Sequence, residues 1–134
     1  MVSAGLAAVL YAAGAPPSLA ATSFLGGVFI DLDHLLDYII QFGFRLDWRH
    51  FFRSFYERQY DRIYILLHGW EWAAALGLAG AALGNPWLLG AAIGFTQHLL
   101  LDQATNGGHA AVYSLLWRLA VSFDPAREFP VRRK

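Results

Sequence analysis

The chain has 134 residues, 57% of them hydrophobic and 15% charged, where a soluble domain carries about 25% charged residues. Net charge is zero and cysteine is absent, so the totals make no electrostatic case for nucleic acid, and disulfides, thiolate nucleophiles and cysteine-based zinc sites are excluded. The length suits a single domain, and the composition points toward lipid.

Residues 2–14 are apolar and small, and are expected to form a first membrane helix rather than a cleaved signal, because no basic segment precedes them. Pro16 and Pro17 end this segment and open the next. The run 18–44 is again apolar, interrupted by Asp31, Asp33, His34 and Asp37. As helix it would extend about 40 Å, enough to cross a bilayer with tilt. The segment 45–62 mixes basic, acidic and aromatic residues at roughly helical spacing, and is expected to lie as an amphipathic segment on the membrane surface. An apolar run over 63–83 follows, with His68 and Glu71 near its start, read as helical. Gly84-Asn85-Pro86 reads as a turn. The run 86–104 carries Gln97, His98 and Asp102 before Asn106-Gly107-Gly108 breaks it. The stretch 109–123 is short for a crossing. It is expected to be re-entrant or interfacial, exposing Tyr113, Trp117 and Arg118, and the tail 124–134 is polar and basic. The whole 1–134 chain therefore reads as one all-α, polytopic membrane helix bundle with three to five hydrophobic helices.

Lys and Arg avoid the first 44 positions and concentrate at Arg45–Arg62 and at the end of the chain. With both basic stretches on the cytoplasmic side, His34, His68, His98 and Asp102 all fall in the cytoplasmic half of the bilayer. Ionisable groups at that depth each cost about 2.5 kcal/mol or more, so several of them need mutual compensation. A shared divalent cation supplies it, with carboxylates ionised and imidazoles neutral. Asp31 and His34 at i,i+3, Asp33 and Asp37 at i,i+4, His68 and Glu71 at i,i+3, and His98 and Asp102 at i,i+4 each share a helix face if those runs are helical. Metal sites in helix bundles are built this way. The candidate ligands are Asp31, Asp33, His34, His68, His98 and Asp102. Glu71 is the candidate general base or the group orienting His68. Nitrogen and oxygen donors suit zinc, manganese or iron(II). Asp37 is left as a ligand or as the partner of an arginine, and His50 and His109 are assigned no ligand role.

The segments DLDHLLDY at 31–38, LHGWEW at 67–72 and HLLLDQATNG at 98–107 resemble the bacterial family of membrane-bound metal-dependent hydrolases of the LexA-regulated inner-membrane type. The resemblance spans roughly residues 20–107. It implies a polytopic helical fold in the inner membrane and a hydrolase acting on a phosphoester or a lipid. By position it carries a ligand role to Asp31, Asp33, His34, His98 and Asp102, and to His68. The chain departs from the family pattern in having no histidine within 1–13 and one histidine rather than two in the middle segment. The basic aromatic segment is expected to meet membrane lipid, with anionic headgroups as partners. A non-catalytic metal- or proton-handling membrane protein, or an assembly factor, is the alternative, and a soluble helical metalloenzyme is a third.

Overall fold

The computed structural model describes residues 2–44, 47–57, 60–106 and 110–128. His109 and residues 129–134 lie outside this set. The described residues are helical with no strand: α1 (Val2–Ala12), α2 (Pro17–Phe29), α3 (Leu32–Phe42), α4 (Trp48–Glu57), α5 (Trp70–Leu83), α6 (Pro86–Asn106), a 3₁₀ turn (Ala110–Tyr113), α7 (Leu115–Ala120) and α8 (Pro125–Glu128).

The proline pair acts as expected: Pro17 occupies the first turn of α2, and α1 folds back on it as a hairpin, with the Ser3 hydroxyl donating to the Gly27 carbonyl (3.3 Å). α2 runs into α3 through Ile30 and Asp31, both with right-handed helical backbone. There the amides of Asp33 and His34 bond three residues back, to Ile30 and Asp31. This tightened step separates the two helices without reversing the chain. The stretch Pro17–Phe42 is long and apolar enough to cross a membrane, and among the described helices it alone is so.

At the other hairpin, Gly84 closes α5 in the left-handed region (φ 59°), and the Asn85 side chain accepts from the Trp87 amide (2.9 Å) at the start of α6. α2 and α6 run side by side in the same direction with their backbones in contact. A Cβ placed on Gly90 would sit 2.3 Å from the Leu19 carbonyl oxygen, and one on Gly94 would sit 2.3 Å from that of Ser23. Gly90 and Gly94 form a G-x-x-x-G element, which permits this approach. The core beside the functional residues gathers Ile30, Ala73, Leu99, Val112 and Tyr113.

Two expectations are corrected. Residues 63–69 are not helical; α5 begins only at Trp70. His68 and Glu71 therefore do not share a helix face. The loop keeps its irregular path because side chains satisfy its backbone. α3 presents Asp33, Asp37 and Gln41 at four-residue spacing along one face. Asp37 Oδ2 accepts from the amides of Tyr64 (2.8 Å) and Ile65 (3.1 Å), and Asp33 Oδ2 accepts from that of Leu67 (2.8 Å). The Gln41 amide donates to the Arg62 carbonyl and accepts from the Asp61 amide (2.9 Å).

The second correction concerns Tyr113 and Arg118, expected to be exposed and found fully buried. Arg118 Nη1 donates to the carbonyls of Tyr64 (2.8 Å) and Ile65 (2.6 Å), and Nη2 donates to that of His68. A guanidinium with its forked donors suits a strand of loop carbonyls. Held from both sides, Ile65 keeps a positive φ of 27°, rare for a β-branched residue.

Candidate metal centre

Packing of α2 on α6 sets the register of the centre. One turn beyond Gly94 is His98, and one turn beyond Gly27 is Asp31. With the helix backbones touching, His98 Nδ1 reaches the Gly27 carbonyl (2.9 Å) and His98 Nε2 lies 3.3 Å from Asp31 Oδ1. Asp102, a turn further along α6, places Oδ2 3.5 Å from His98 Nε2 and 3.5 Å from His68 Nε2. His68 Nε2 is 3.6 Å from Asp31 Oδ1, and His34 Nε2 is 3.8 Å from the same oxygen. Five side chains thus converge from α3, its junction with α2, the 60–69 loop and α6.

Both key imidazoles have a defined tautomer. A carbonyl only accepts, so His98 Nδ1 carries the hydrogen that bonds Gly27. A carboxylate likewise only accepts, so His68 Nδ1 carries the hydrogen bonded to Asp33 Oδ2 (3.0 Å). With Nδ1 so occupied, each ring turns its Nε2 edge toward the carboxylate oxygens. Both Nε2 atoms are buried and make no hydrogen bond among the described residues. An imidazole nitrogen and a carboxylate oxygen 3.3–3.6 Å apart repel unless a proton or a metal cation stands between them. Donor atoms in a tetrahedral zinc site, with bonds near 2.0–2.1 Å, lie about 3.3 Å apart. The spacing here is within a few tenths of an ångström of that.

Asp31, His68 and His98 therefore form a group that could hold a metal ion, and Asp33, His34 and His68 form a second. In the second group the Asp33 carboxylate already accepts the Nδ1 hydrogen of His68. That places it where an outer carboxylate orients a metal-binding ring.

The sequence-derived residues thus divide. Asp31, His34, His68, His98 and Asp102 converge; Asp33 stands behind His68. Glu71 is elsewhere: its carboxylate accepts from the Ser114 hydroxyl (2.6 Å) and from the amides of Leu115 (3.0 Å) and Leu116 (3.2 Å), capping α7. Asp37 holds the loop, and His50 bonds the Tyr38 hydroxyl (3.0 Å). Sequence reasoning missed Arg118 and the Gly90–Gly94 pair. The G-x-x-x-G spacing was a visible signal; for Arg118 the signal was a lone cation in an otherwise uncharged stretch.

A cavity of about 700 Å³ opens onto the cluster. Asp31, His34, His68 and Asp102 face it on one side, and Trp48, Phe51 and Phe52 of α4 wall it on the other. Tyr60 also lines it. Burial, with the Asp37 carboxylate nearby, pushes the Tyr60 hydroxyl up to about 12, so it remains protonated. No family model, curated protein or solved structure matches the chain.

Proposed function

We propose that the protein is a polytopic inner-membrane hydrolase that uses a divalent metal ion, zinc, manganese or iron(II), to cleave a phosphoester or a carboxylic ester. The observation that carries this reading is the pair of buried, unbonded Nε2 atoms of His68 and His98, facing Asp31 and Asp102 at the floor of an open cavity. A structural site is closed, whereas a catalytic one leaves a position for water or substrate. Membrane residence draws support from the Pro17–Phe42 stretch and from large apolar side chains left in the open, such as Leu78 (74% exposed) and Leu83 (72%).

His68, His98, Asp31 and Asp102 would hold the ion. Bound there, it would lower the pKa of a water molecule and polarise the phosphoryl or acyl oxygen under attack. Asp33 and the Gly27 carbonyl keep the two rings turned toward that position. The apolar wall of α4 limits bulk water around the ester. His34 Nε2, 3.8 Å from Asp31 Oδ1 and bordering the cavity, would take the proton from the attacking water and return it to the departing alkoxide.

Elemental analysis of the purified protein, followed by hydrolysis assays on p-nitrophenyl phosphate and p-nitrophenyl esters, tests this. The wild type is expected to retain about one ion per chain and to hydrolyse at least one ester class. His98→Ala should lose both metal and activity. His34→Ala should keep the metal and lose about 100-fold in kcat. A folded His98→Ala variant that kept full metal content and activity would sink the reading.

A further inference from the structure

The cavity is divided by chemistry. Its floor carries Asp31, His34, His68 and Asp102, and the space above is enclosed by Leu35, Trp48, Phe51, Phe52, Ile63 and Ile65. About 700 Å³ falls within the range of sites that enclose drug-sized ligands. A phosphate or short ester seated on the floor would leave most of it open. The described lining holds Asp31, Asp37 and Asp102 and no arginine or lysine, so beyond an ion on the floor a polyphosphate or nucleotide finds no cationic partner there. At the rim, Leu32, Trp48 and Phe52 line the cavity and are themselves more than half exposed. The apolar wall therefore continues outward to the surface, giving a greasy entrance.

Of the polar groups beside the floor, Asp37, Asn106 and Tyr113 have hydrogen-bond partners within the protein. Tyr60 is 8% exposed, lines the cavity, and has a hydroxyl with no hydrogen-bond partner among the described residues. An unmet buried hydroxyl costs about 1–3 kcal/mol, a penalty that a ligand oxygen would remove.

We propose that the cavity binds an amphiphilic ester, with the polar head on the Asp31–His68 floor, the hydrocarbon chain between α3 and α4, and the Tyr60 hydroxyl donating to an oxygen of the head or its linkage. The proposal rests on the hydrolase reading for the identity of the cleaved bond alone. Chain length and Tyr60 then set affinity, and the floor sets the chemistry.

The test compares binding of dodecylphosphonate and methylphosphonate, neither of which can be hydrolysed, by calorimetry on the full chain in amphipol. Wild type should bind the dodecyl compound at least about 30-fold more tightly, since each buried methylene adds about 0.8 kcal/mol. Leu35→Trp, which fills the apolar space, should bring the two within about threefold and leave methylphosphonate binding unchanged. Tyr60→Phe should weaken both by about 3- to 10-fold at unchanged metal content. Equal binding of the two probes by wild type overturns the proposal. So does a chain-length preference that survives Leu35→Trp, because it would report partition into amphipol. A clear preference in a protein that holds no metal or hydrolyses no ester would sink the hydrolase reading and leave the amphiphile site standing.

Discussion

Asp31 and Asp33 are two positions apart in the chain and face different partners. Asp31 Oδ1 meets the Nε2 atoms of His68 and His98, while Asp33 accepts from the opposite nitrogen of His68 and from the Leu67 amide. Loss of Asp33 should therefore loosen the ion rather than remove a donor. Asp33→Asn is expected to weaken metal binding by about 10- to 100-fold, the usual effect of an outer carboxylate, read by competition with a chromophoric chelator. Glu71→Gln is expected to behave differently. Its carboxylate caps α7, so the change should cost about 1 kcal/mol of stability, seen as a lower Tm, with metal affinity intact. A stable Glu71→Gln protein that bound metal and had lost hydrolysis would return Glu71 to the chemistry.

At the scale of elements, the contact of α2 with α6 decides whether His98 and Asp31 meet. Gly94→Ala puts a Cβ where the Ser23 carbonyl oxygen stands 2.3 Å away, and the two helices must separate. The expected loss is about 1–3 kcal/mol of stability together with weaker metal binding, read by thermal unfolding with and without added zinc. Gly5→Ala serves as the control, since nothing lies within 4 Å of its added Cβ. Unchanged metal affinity in a folded Gly94→Ala protein would show that the register does not depend on this contact. The same elements show what the sequence could express. The turns at Pro16-Pro17 and Gly84-Asn85-Pro86 are local, set by backbone chemistry, and so were legible. The convergence of Asp31, His34, His68, His98 and Asp102 was legible because ionisable groups inside apolar runs need partners. The loop over 63–69 was not, because it is apolar and reads as helix until its backbone partners are known. Those partners, Asp33, Asp37 and Arg118, lie roughly 30 residues before it and 50 after it. For the same reason Asp33 could not be told from Asp31, nor the capping role of Glu71 from a catalytic one.

Across the described residues of the whole molecule, one helical stretch, Pro17–Phe42, is membrane-length, beside the shorter apolar helix Val2–Ala12. If α5 and α6 cross the bilayer with it, the chain should stay in the membrane pellet after carbonate washing and should require detergent for release. Recovery in the carbonate supernatant as a monodisperse species would overturn the polytopic reading and leave the all-helical fold unaffected.

The anchoring of the 60–69 loop by Arg118 has a consequence for biosynthesis. All five converging side chains precede Arg118, and His68 does so by 50 residues. A nascent chain can thus present every donor while still lacking the guanidinium that keeps His68 in place. On the metal-centre reading, capture of the ion would thereby wait until residue 118 has been made and folded. Chains cut short before residue 118 should emerge with a slack, low-affinity cluster, read by metal competition against the full chain.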